Sequence, residues 1–256
     1  MELTTTLRVL VTLGIVLILV MLRVDAERFG AAEYDEARRD GHWPSLGRRL
    51  AWYALGFGLV IAAAFVYPRE ATHDLYLGLG YRAGSLIGGL LFAGIGTAQA
   101  VGFAVYRYHH VRLPDPRAYP GALLNAVATS FIDEAAFRGI LLAFLVGAGL
   151  PPLVAITGQA LAYALATRLG APGRDRYMLG LVLFVGFASG LLTVTVGGIG
   201  GAFLGHAVTR CAVFLATGHA GQVAPRGREK EDIERKRRTP EGWNAVGARD
   251  SNSGDR

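Results

Sequence analysis

The sequence predicts an all-α, polytopic transmembrane helix bundle of about seven spans, and three observations predict it. Apolar windows recur along the 256 residues, each near the roughly 20 residues that a helix needs to cross a hydrocarbon core of about 30 Å. Hydrophobic residues make up 52% of the chain and charged ones 18%, against about 25% charged in an ordinary soluble domain, and the charges lie between the windows. Many of the 35 glycines fall inside the windows, where they would weaken a helix in water but allow close helix approach in lipid. No soluble domain of ordinary size is visible. Cys211 is the only cysteine, which excludes an intrachain disulfide and a Cys-rich metal site.

The first window runs from about Leu7 to Leu22, with Arg8 at its start and Arg23 just after it. Val24-Asp25-Ala26 has the small-x-small form of a cleavage site, but Arg23 sits awkwardly beside it, so residues 1–23 read as a first span. Residues 24–49 mix both charge signs around Ala31-Ala32-Glu33 and Asp35-Glu36-Ala37-Arg38-Arg39, the pattern of a solvated cytoplasmic amphipathic linker. Further windows lie at about 50–67, 83–106, 120–148, 151–167, 176–195 and 197–217, so that residues 50–217 read as the bundle. Pro68, Pro120 and Pro151-Pro152 mark several ends. Small residues four apart, at Gly84 and Gly88, Gly186 and Gly190, and Gly197, Gly201 and Gly205, predict close helix packing within the monomer.

Lys and Arg set the topology. The loops at 23–49, 107–117 and 168–176 and the tail together hold 21 of them, and the opposite side holds three. This puts the N-terminus outside and the tail in the cytoplasm. Residues 218–256 turn polar, with Arg235-Lys236-Arg237-Arg238 inside a charge run, and read as a disordered cytoplasmic tail. Its basic cluster suits anionic lipid headgroups rather than nucleic acid. His109 and His110 stand in a basic stretch and read as solvated loop residues.

An ionisable group at the bilayer centre costs about 2.5 to 3.5 kcal/mol even on the insertion scale, so the few within spans are functional candidates. The fourth window carries Asp133, Glu134 and Arg138, and the last carries His206 and Arg210. Glu134 and Arg138, like His206 and Arg210, lie one helical turn apart. A buried ion-pair cluster that only holds the bundle together is the plainer explanation.

Asp133-Glu134-x-x-x-Arg138-Gly139 resembles the first signature of the CAAX prenyl protease and bacteriocin-processing family of intramembrane proteases, usually two Glu, three residues, then Arg. Gly190-Leu-Leu-Thr-Val-Thr-Val-Gly197 leading to Ala202-Phe-Leu-Gly-His206 resembles the run into a later signature, His, three residues, then Asn. The resemblance covers residues 118–217. It implies an integral protein of a prokaryotic plasma membrane that cleaves prenylated or membrane-associated peptides with carboxylate-activated water, its partners being membrane lipids and a peptide or protein substrate. By analogy Asp133 or Glu134 is the base, Arg138 holds the carboxylates, and His206 stabilises the oxyanion or binds a metal.

Departures from the pattern bear on activity. The family's Phe, three residues, His corresponds to Tyr163-Ala-Leu-Ala-Thr167, and its Asn to Arg210. Tyr163, Thr167 and Arg210 are therefore candidate site-lining residues. A divalent metal is the cofactor to consider, and Thr167 weakens it, because a neutral hydroxyl is a poor zinc ligand. Arg210 supplies a second cation to the two acids and makes the site a weaker base. The alternative is a non-catalytic family member acting as a membrane binding or scaffold protein.

Overall fold

The computed structural model describes residues 3–31, 34–35, 43–111, 113, 120–170, 176–220 and 234. The chain is an all-α membrane bundle. Its long helices are α1 (Leu3–Val24), α2 (Trp43–Val66), α4 (Arg82–Tyr108), α7 (Pro152–Gly170), α8 (Arg176–Val196) and α9 (Gly200–Thr217), with a short α3 (Ala71–Asp74) between α2 and α4. A seventh long helix runs continuously through α5 (Pro120–Asp133), a π-helical stretch (Glu134–Leu141) and α6 (Leu142–Gly147). Two-residue strands, Tyr34–Asp35 and His219–Ala220, pair antiparallel where the chain leaves α9.

Four helices are long and apolar enough to cross a membrane by length and composition: α1, α2, α4 and α8. The other three long helices carry Asp133, Glu134 and Arg138, Gln159, and His206 with Arg210. These are the residues that lower their apolar content, and all of them point inwards. The outer surface shows the reverse. Leu10, Leu17, Ile18 and Met21 of α1 and Leu86, Ile87, Leu90 and Leu91 of α4 are exposed, the distribution that a lipid solvent selects.

Helix packing follows the glycines. A Cβ on Gly205 would collide with the Phe92 side chain, and one on Gly201 would lie 2.5 Å from the Ser85 carbonyl oxygen, so α9 lies directly against α4. At the N-terminal end of α1, Arg8 donates to the carbonyls of Val66 at 2.7 Å, Tyr67 at 3.1 Å and Phe65 at 3.2 Å. It thereby caps the last turn of α2, where backbone acceptors lack helical partners. Lower down, the Trp52 indole donates to the Leu22 carbonyl at 2.9 Å and Arg49 Nε to the Gly30 carbonyl at 2.9 Å.

Two sequence readings change. Arg23 is not a loop residue at a membrane face: its side chain is only 4% exposed and turns into the bundle, because a long guanidinium near a helix end can reach a buried carboxylate. His110 is buried, whereas His109 is exposed and ends α4 in the left-handed conformation at φ 64°. Within the range 24–49, α2 already starts at Trp43. The reading of residues 218–256 as a tail lies outside the described residues beyond Ala220, apart from Glu234.

Candidate active site

The polar residues gather where α1, α5 with its π-helical continuation, α7, α8 and α9 meet. The π-helix begins at Glu134 and ends at Leu141, so the acid-to-arginine motif lies in the widened i→i+5 geometry that is rare overall and frequent at functional sites. Gly139 is needed in this stretch, since a Cβ there would lie 2.8 Å from Leu77 and 3.1 Å from the Leu75 carbonyl oxygen.

The two acids face different neighbours. Glu134 receives His206 Nδ1 at 2.6 Å and the Ser189 hydroxyl at 3.2 Å, both on Oε1. Among the described residues its Oε2 has only Arg138 Nε, at 3.7 Å, which is an ion pair without a hydrogen bond. With a carboxylate as acceptor, Nδ1 carries the proton of a neutral His206, which leaves Nε2 as an acceptor. That Nε2 lies 3.5 Å from the Tyr163 hydroxyl.

Asp133 is held on both oxygens. Arg23 Nε lies 3.5 Å from Oδ1, while the Tyr163 hydroxyl donates to Oδ2 at 3.1 Å and Arg210 Nη1 to the same atom at 3.4 Å. Tyr163 therefore stands between the two halves, with its one O–H given to Asp133. Its ring also takes Arg138 against one face, with the guanidinium carbon 4.1 Å from the centroid, a cation–π contact. Phe137 meets the same ring edge to face at 5.1 Å.

Of the residues singled out in the sequence, Asp133, Glu134, Arg138, Tyr163, His206 and Arg210 share this cluster, and each is at least nine-tenths buried. Thr167 is buried one turn beyond Tyr163 on α7, and its hydroxyl has no hydrogen-bond partner among the described residues. Three further residues join them. Arg23 has the sequence position of a span flank. Ser189 was hidden among small residues beside Gly190, although a buried hydroxyl in an otherwise apolar helix was a signal. Gln159, fully buried, donates to the Gly186 carbonyl at 2.7 Å; an amide inside an apolar window could likewise have marked it.

Three guanidinium groups thus surround two carboxylates, one more than the sequence showed. The donor set does not suit a metal. Among the described residues no group of three His, Cys, Asp or Glu is placed to hold one, Glu134 Oε1 is engaged by His206 and Ser189, and the surrounding guanidiniums repel a cation.

Residues 115–212 match the family described as type II CAAX prenyl endopeptidase Rce1-like. No curated protein and no solved structure matches the chain. The matched segment contains Asp133, Glu134, Arg138, Tyr163, Ser189, His206 and Arg210 but not α1. Within this membrane protein, residues 115–212 are thus similar to the Rce1-like, type II CAAX prenyl endopeptidase family, and α1 brings Arg23 to a cluster otherwise built from the matched segment.

Proposed function

We propose that the chain is an intramembrane endopeptidase that cleaves prenylated or membrane-associated peptides, with Glu134 as the catalytic base. The observation that carries this reading is the asymmetric environment of Glu134. His206 and Ser189 fix Oε1, while Oε2 has no hydrogen bond among the described residues and remains available to take a proton. Asp133 is the poorer candidate, because Arg23, Tyr163 and Arg210 occupy both its oxygens.

In the proposed reaction a water oxygen adds to the substrate carbonyl carbon as one water proton passes to Glu134 Oε2. The C–N bond of the resulting tetrahedral species then breaks, and the proton moves from Glu134 to the leaving amine. Arg210 Nε and the Thr167 hydroxyl, both buried without a hydrogen-bond partner among the described residues, are the donors for the developing oxyanion. His206 orients the base. No step passes through a metal.

The same reading places the N-terminus outside and the tail in the cytoplasm, on the strength of the 21-to-three distribution of basic residues. A second reading, a non-catalytic member that binds or scaffolds membrane partners, is favoured by Arg210 and Thr167 standing where the resemblance calls for Asn and His. The deciding experiment is cleavage of a panel of prenylated and bacteriocin-type peptides by the reconstituted protein and its Glu134→Ala variant. Cleavage by the former alone supports the protease; silence of both across the panel favours the scaffold.

A further inference from the structure

Five buried polar atoms of three linked residues have no hydrogen-bond partner among the described residues: Nε, Nη1 and Nη2 of Arg138, Oε2 of Glu134 and Oε1 of Gln159. All three residues are fully buried, and the contacts bring them to one place. Arg138 Nη2 lies 3.4 Å from where a Cβ on Gly186 would stand. Gln159 reaches the carbonyl of that same glycine at 2.7 Å through its amide nitrogen, and Arg138 Nε lies 3.7 Å from Glu134 Oε2. Polar groups inside a protein are almost always satisfied, by protein atoms or by ordered water.

The mixture of donors and acceptors identifies the missing partner. An anion would suit the guanidinium but would be repelled by Glu134 Oε2 and by the carbonyl oxygen of Gln159. A cation would suit those oxygens but not Arg138. Water both donates and accepts, and two to four polar partners are what a buried water needs.

We propose that Arg138, Glu134 and Gln159 hold buried water beside Gly186, and that Gln159 is a positioning residue that orients the water activated by Glu134. The catalytic half of this proposal rests on the protease reading; the water site rests on the geometry alone. The arrangement puts water at the unengaged oxygen of the base in a bundle whose outer surface is apolar.

Two measurements test it, the first without any need for activity. Hydroxyl radicals generated from bound water by X-ray exposure label nearby aromatic rings. Tyr163, packed against Arg138, should be labelled well above Trp52, which is equally buried and bonded to the Leu22 carbonyl. The Gln159→Met variant, of similar length but without the amide, should lose most of that label. Tyr163 as unreactive as Trp52 in the wild-type protein would overturn the water site, and labelling unchanged by Gln159→Met would overturn the part given to Gln159. The second measurement is steady-state cleavage, normalised to folded protein. Gln159→Met should lower kcat about tenfold, the scale of one lost hydrogen bond, with KM unchanged, and Gln159→Asn should restore part of it. A raised KM at constant kcat would overturn the positioning role. A wild-type protein that is labelled at Tyr163 but cleaves nothing would sink the protease reading and the positioning role while upholding the water site.

Discussion

Arg23 Nε lies 3.5 Å from Asp133 Oδ1, joining the end of α1 to the last residue of α5. On the opposite oxygen, Arg210 Nη1 lies 3.4 Å away. The carboxylate is thus gripped by helices that flank it from either end of the sequence, and only one of them belongs to the family segment. Arg23→Gln should lower both activity and folded yield, since breaking a buried pair leaves a charge without its partner. Arg23→Lys should retain the charge and recover much of the yield. Size-exclusion recovery in detergent, measured alongside peptide cleavage, checks this; full activity in Arg23→Gln would show that α1 is not needed by the site.

Glu134→Ala and His206→Ala should each reduce cleavage by about 10²-fold or more, the range for losing a general base or the group that orients it. The double variant should be little worse than either alone, because the 2.6 Å contact makes them one unit. Single-turnover cleavage of a prenylated peptide measures all three, and strictly additive losses would show that the two residues act separately.

Arg210→Asn should leave activity intact or raise it. Arg23 and Tyr163 still hold Asp133 in this variant, and asparagine keeps a donor for the oxyanion while one cation leaves the cluster. Arg138→Ala should behave differently, destabilising the fold by about 3–5 kcal/mol because Glu134 loses its ion pair inside the bundle. Thermal unfolding in detergent separates the two variants, and a Tm for Arg138→Ala equal to wild type would contradict the argument.

The α4–α9 contact should tolerate no side chain at Gly205. Gly205→Val places its Cβ against the Phe92 ring and should cost about 1–3 kcal/mol of overpacking. Gly94→Ala, which meets nothing within 4 Å, should be neutral or stabilise by up to about 1 kcal/mol. Equal unfolding temperatures for the two variants would refute the close approach of these helices.

His73, in the connection between α2 and α4, should titrate above the ordinary histidine range, chiefly through its hydrogen bond with Asp74 at 3.0 Å and the charge of that carboxylate. A raised value means that this pair favours the folded state fully below the ordinary histidine value and ceases to do so as pH rises through the folded one. Asp74→Asn should return the titration to the ordinary range, which NMR of the labelled imidazole reads directly; an unchanged midpoint in that variant would discard the pairing.

The all-α bundle was legible because lipid demands long apolar runs and leaves polar residues conspicuous within them. That is why Asp133, Glu134, Arg138, His206 and Arg210 stood out, and why the likeness at residues 118–217 overlaps the family match at 115–212. By itself the sequence could not place Arg23, since an arginine at the end of an apolar run looks the same whether it faces the headgroups or turns inwards. Nor could it divide the work between Asp133 and Glu134. Neighbours on one helix are rotated away from each other, and what each meets depends on α1, α7, α8 and α9. Tertiary packing put Arg23, Tyr163 and Arg210 around one acid, put His206 and Ser189 on a single oxygen of the other, and turned the helix π at Glu134. Spacing along a chain determines which residues share a face of one helix; only the packing of several helices determines which face meets which.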